Sequence, residues 1–176
     1  MIYISWHSTK WGGDMTIAFI GHAVVSSADR IEEAVKEQIR KHTAFAERVI
    51  CYLGGYGDFD RICARVCHAL RGERPMETVY VTPYIGPAAQ ERLKEMMKCG
   101  LYDTVLYPPL ENVPPKFAIA KRNEWMMTNA DLIIAYVTHD WGGAYKFLQL
   151  AKRKQKKTVN ISDLLSCEGT KDARDF

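Results

Sequence analysis

Six short apolar runs separated by helical patterns constrain this chain more than any other feature. The runs are Thr16–Gly21, Arg48–Gly54, Thr78–Tyr84, Asp103–Pro108, Asp131–Val137 and Lys157–Ser162. Each is rich in β-branched or aromatic residues and is apolar at successive positions. A strand with one wet face alternates apolar with polar; a strand covered on both faces does not. Helical patterns fill the gaps, over Ser26–Glu47, Asp58–Leu70, Pro87–Cys99, about Pro115–Asn129 and about Gly143–Lys154. Ser27 stands where a helix wants a capping hydroxyl, Pro87 suits a first turn, and Gly100 stops the third helix. Core-facing positions are expected at Ile31, Ala34, Val35, Gln38 and Ile39, and again at Ile62, Val66, Ala69 and Leu70. On the fourth helix they are expected at Trp125 and Met126, among Phe117, Ile119 and Ala130.

Strands alternating with helices predict an α/β domain: a Rossmann-like three-layer α/β/α sandwich around a mostly parallel sheet. Right-handed crossovers favour three strands laid outward from the first, a return to the centre, and growth the other way. The expected order is 4-3-2-1-5-6. Its switch point lies between the first and fifth strands, where open α/β sheets bind ligands at their carboxyl ends.

A chain of 176 residues is one domain's worth. The domain is read as residues 15–163, followed by a polar tail over 164–176. Residues 1–14 show no clear period, and Met15 opens a clean strand. Gly12-Gly13-Asp14 can be encoded as a ribosome-binding sequence, so Met15 is read as the start and the first fourteen residues as a leader foreign to the fold. No apolar run reaches the ~18–20 residues that span a bilayer, and no secretion signal stands at the N-terminus. The reading is cytoplasmic, with no membrane partner. A net charge of +3 is too small to call for nucleic acid, and the basic run Ala151–Lys157 falls where a helix should end. Five cysteines without paired spacing argue against a disulfide framework. Cys63, Cys67 and His68 lack a second pair of zinc ligands, so no metal is called for, and the two thiols read as core.

Marked stretches cluster at the carboxyl ends of the strands. Gly21-His22 follows the first strand, and Gly54-Gly55-Tyr56-Gly57-Asp58-Phe59-Asp60 follows the second. His139–Gly143 follows the fifth, and Lys121-Arg122-Asn123 lies on the helix leading into it. Glycines let backbone N–H groups approach an oxyanion, and a following helix N-terminus adds its dipole. Their convergence predicts a ligand site lined by Gly21, His22, Gly54, Gly55, Tyr56, Gly57, Asp58, Asp60, Arg61, Arg122, Asn123, Gly142, Gly143 and Lys146. Arg122 and Asn123 are hard to explain as packing. Asp58 reads best as a helix cap, and Asp60 as a base or a partner for a ribose hydroxyl. His22 serves equally as a ligand contact or as a turn residue. Tyr56 at a loop tip could stack on a base, and Trp141 could roof a pocket.

Four stretches, "IAFIGH", "GGYGDFD", "KRNEWMMTNADLIIAYV" and "WGGAYKFLQLAKRKQKKTVNI", resemble the SLOG superfamily, which joins DNA-processing Smf proteins and LOG-type phosphoribohydrolases. The closest resemblance is to its small YpsA-like bacterial and phage branch, over about Thr16 to Ile161. That branch usually shows an arginine after "GH", where this chain has Ala23, and Gly57 comes one place early in the second loop. The LOG enzymes carry a "PGGxGTxxE" loop whose glutamate helps cleave an N-glycosidic bond. Here Leu53 stands for the proline, Asp58 for the threonine and Arg61 for the glutamate. Nucleoside deoxyribosyltransferases look similar around the last stretch, and Lys146 takes the place of their nucleophilic glutamate.

Both replacements exchange a carboxylate for a cation. A cation cannot attack an anomeric carbon or stabilise an oxocarbenium-like centre, but it can hold a phosphate. The resemblance and these residues together imply binding of a nucleotide or nucleotide-derived, ADP-ribose-like small ligand in a sensing or regulatory role, without cofactor and without catalysis. The rival readings are an N-glycosidase using Asp58 or Asp60, and a single-stranded DNA binder like the Smf proteins, which the charge disfavours. A homo-oligomer is compatible with all three.

Overall fold

The structure of the protein, a computed structural model, describes residues 13–169. The elements run β1 (Asp14–Gly21), α1 (Ala28–His42), β2 (Arg48–Leu53), α2 (Gly57–Leu70), β3 (Met76–Val81) and α3 (Pro87–Lys98). They continue with β4 (Thr104–Leu106), α4 (Pro115–Asn129), β5 (Leu132–Tyr136), α5 (Gly142–Arg153), β6 (Lys157–Asn160) and α6 (Ile161–Gly169). The six strands form one parallel sheet in the expected order β4-β3-β2-β1-β5-β6.

Burial on both faces explains the unbroken apolar runs. Along β1, Ile17 and Phe19 join a cluster with Ile31, Val35, Phe59, Ile62 and Leu70, on the side of α1 and α2. The alternate residues Ala18 and Ile20 join Met126, Met127 and Ala151 on the opposite side, under α4 and α5. One strand thus feeds two cores. Cys51, Cys63 and Cys67 are fully buried free thiols in the first of them.

The polar positions near the amino ends of the strands are tied to carboxylates. Asp131 accepts the Thr16 N–H at 2.9 Å, and Asp103 accepts the Thr78 N–H at 2.7 Å and an Arg71 N–H at 2.9 Å. Lys156, in the basic run, donates to the Thr128 and Ala130 carbonyls at the end of α4.

Four local expectations are corrected. Ser27 sits at the N-cap of α1 with φ 62° and makes no side-chain cap bond, so the helix starts without the expected hydroxyl. Phe117 and Ile119 are exposed, because α4 turns its Ala118–Arg122–Met126 stripe, with Met127, inward. Ala69 is exposed as well, and Phe59, Cys63 and Cys67 take the core face of α2 instead. The polar tail gives way to α6, whose first residue Ile161 is fully buried and whose Leu165 packs on the first core. Of the leader, residues 1–12 lie outside the described residues. Asp14 already belongs to β1, opposite Arg48, and the Gly13 carbonyl accepts the Glu47 N–H. Among the described residues, no helix is long and apolar enough to cross a membrane.

Candidate functional site

The loop after β2 is glycine-rich because its neighbours crowd it. A Cβ on Gly54 would strike the Arg122 guanidinium, and one on Gly57, at φ 86°, would come within 2.5 Å of the Ala23 Cα. The second approach joins this loop to the one after β1. The Asp58 N–H donates to the Ala23 carbonyl at 2.8 Å, and the Val25 N–H donates to the Asp58 carboxylate at 3.3 Å. Because α2 begins at Gly57, Asp58 lies inside its first turn and does not cap it; its carboxylate fastens the neighbouring loop. Arg61 points along the helix to pair with Asp58 and is 66% exposed. Gly21 ends β1 beside the Phe59 ring.

Asp60 engages N–H groups that a glycine loop would otherwise offer to a phosphate. It is buried, and its carboxylate accepts the Tyr56 N–H at 2.9 Å, with the Gly54 and Gly55 N–H groups also favouring its charge. Burial dominates, pushing its pKa up to about 6, while these N–H groups and the nearby Arg122 charge pull the other way. The loop therefore folds around an anion of its own.

Arg122 differs most from expectation. It is 2% exposed, lies under the loop, and donates from Nη1 to the Val81 carbonyl at 2.7 Å. Burial holds its pKa below the usual arginine value, opposed by Asp60, and its Nε has no hydrogen-bond partner. An interior helix face needed this arginine after all: it supports the strand end and the glycine loop from beneath. Asn123, beside it on α4, is half-buried.

At the switch point the rings form a ladder. His22 stacks on His139 at 3.8 Å between centroids, and His139 stacks on Trp141 at 3.9 Å. The His22 Nε2 accepts the Thr138 N–H at 3.1 Å, so this nitrogen carries no proton. Burial first, and the adjacent His139 second, hold the His22 pKa below its ordinary value. Gly142 and Gly143 open α5 next to Trp141. Lys146 is exposed and lines a furrow of about 520 Å³ built from α5 residues alone, with no second wall.

A walled cleft of about 550 Å³ lies to the other side, over the ends of β2 and β3 and against α3 and the loop before α4. Tyr56, Tyr80, Thr82, Tyr84, Arg92 and Glu111 contribute polar groups to it. The Arg92 guanidinium lies 4.4 Å above the Tyr56 ring and that of Arg122 lies 5.5 Å from it, so two cations stand close to this ring. Burial pushes the Tyr80 phenol up, with Arg92 and Arg122 opposing. Of the predicted site residues, only Tyr56 lines this cleft. Arg92, Tyr84, Tyr107 and Glu111 were missed. The signal was the third strand–helix turn, Thr82-Pro83-Tyr84-Ile85-Gly86, whose first three residues read as the end of a strand and not as a cleft wall. Among the described residues, no group of three or more His, Cys, Asp or Glu side chains is placed to hold a metal ion.

No protein-family model and no curated protein matches the chain. Solved structures do. DNA processing protein A (DprA) from Streptococcus pneumoniae superposes with a TM-score of 0.56 at 18% identity, covering 82% of this chain and 49% of its own. This chain thus spans about half of that protein's length. DprA from Helicobacter pylori, whose structure describes a single-stranded DNA binding mode, gives 0.55 at 16%, covering 88% and 73%. The Chlamydomonas rheinhardtii Moco carrier protein gives 0.47 at 14%, covering 85% and 76%. The chain shares with the DprA structures the Rossmann-like fold.

Proposed function

We propose that the protein binds a nucleotide-derived, ADP-ribose-like ligand at the carboxyl ends of its strands and recognises it without cleaving it. One observation carries this reading: the cleft beside the glycine loop sets an aromatic wall of Tyr56, Tyr80 and Tyr84 against the Arg92 cation. Aromatic faces take bases, and a guanidinium takes phosphate. The carboxylates support a binding role. Asp60 is enclosed by loop N–H groups, and Asp58 is engaged by Val25 and Arg61, so neither is placed to activate a water.

Calorimetry with ADP-ribose and AMP tests the reading. Arg92→Ala should weaken binding by about 1.5–3 kcal/mol, the range for a hydrogen bond to a charged group, with little change in stability. Wild-type protein should release no free base from AMP. The carboxylate that does line the cleft is Glu111. Base release that disappears in Glu111→Gln would turn the binding protein into an enzyme.

A second reading, single-stranded nucleic acid on the same edge, is favoured by the run of exposed rings there. Tyr56, Tyr84 and Trp141 all show substantial surface, and stacked bases tolerate any sequence. Its mark would be oligonucleotide affinity that falls steeply with salt.

A further inference from the structure

The ring ladder at the switch point is left over once the cleft is assigned. We propose that the open face of Trp141 takes a second nucleobase, so that the ligand is a dinucleotide with one base at Tyr56 and the other at Trp141. This rests on the reading of the cleft as a nucleotide site.

Three observations lead there. Trp141 is 68% exposed although one side of its ring is covered by His139, which leaves the other side to solvent. A tryptophan kept for packing would bury its ring; this one extends a stack outward. The stack is also held in place before any ligand arrives. His22 is fixed by the Thr138 N–H, and the His139 Nδ1 lies 3.0 Å from the Trp141 carbonyl. A pre-positioned ring loses little freedom on binding. Finally, the sheet order sets the span. Tyr56 follows β2 and Trp141 follows β5, with only β1 between them. Two strand intervals of about 4.8 Å separate the strand ends from which the two loops leave by roughly 10 Å, a span that two bases joined through sugars and phosphate can cover. Lys146, exposed on α5 just beyond Trp141, adds a cation to that end.

The test compares AMP with the dinucleotide adenylyl-3′,5′-adenosine on the full chain, by calorimetry and tryptophan emission. Base–aromatic stacking predicts that the dinucleotide binds ~5- to 150-fold more tightly than AMP. Trp141→Ala should erase that gain and leave AMP affinity unchanged, while Trp141→Phe should keep part of it. AMP binding with no gain for the dinucleotide, or a gain that survives Trp141→Ala, would overturn the inference and leave the cleft reading standing. If neither probe binds, the cleft reading fails and this inference fails with it. A further rise from dinucleotide to a tetranucleotide would overturn the small-ligand assignment in favour of a strand.

Discussion

The glycine loop after β2 and the cleft beside it share Tyr56 yet differ in what they leave unsatisfied. In the loop, Asp60 occupies the N–H groups, Asp58 is tied to Val25, and Arg122 supports the backbone from below. In the cleft, the Tyr84 hydroxyl donates to the Pro115 carbonyl and Arg92 lies over Tyr56, yet these side chains also line open space. A glycine-rich turn is thus no proof of a phosphate site, because glycine also answers to close packing. Polar groups become available for recognition only where the fold has not already paired them.

The largest effect that could break this contrast is at Arg122. Truncation to alanine strands the buried Val81 carbonyl and empties a fully packed site. Arg122→Ala should therefore lose roughly 3–5 kcal/mol of stability in denaturant titrations. Unchanged stability together with lost ligand affinity would return Arg122 to the binding surface.

Asp60 tests the loop's internal anion. Its folded pKa is raised from 3.8 to about 6, so the folded chain holds more protons than the unfolded one within that window. Stability should fall as pH rises between about 4 and 6, by about 3 kcal/mol from this group, and level off above. Asp60→Asn should remove that slope when unfolding is followed at several pH values. An unaltered slope would mean that the carboxylate is not buried as described.

Arg61 should show the smallest effect. Its ion pair with Asp58 is solvated, and Arg61→Ala should leave Tm within about 2 °C of wild type. The sequence comparison made Arg61 a phosphate contact; its pairing with Asp58 predicts that removing it changes AMP affinity little. A large loss of affinity would restore the loop to the site.

Much of the architecture was legible because periodicity reports burial directly. Runs such as Ile17-Ala18-Phe19-Ile20 fit a strand covered on both faces, which alternation with helices turns into a parallel α/β sheet, and handed crossovers then favour certain strand orders. The α6 helix was not legible. Ile161, Leu164 and Leu165 are three apolar positions in an otherwise polar stretch, and Ile161 and Leu165 gain their value from a distant core surface. The cleft was not legible either, since Arg92 is one of many arginines on helices and becomes distinctive only when α3 brings it over Tyr56.

From the sequence alone came the six strands, five of the helices, their order and the sheet edge where the glycine loops gather, since these follow from local pattern and chain chirality. The tertiary structure decided which polar groups remain available there. That Asp60 faces inward, Arg122 lies beneath the loop and Trp141 shows an open face depends on contacts between residues far apart in the chain. A motif specifies residue types, and only packing determines whether their hydrogen bonds are made within the protein or left for a partner.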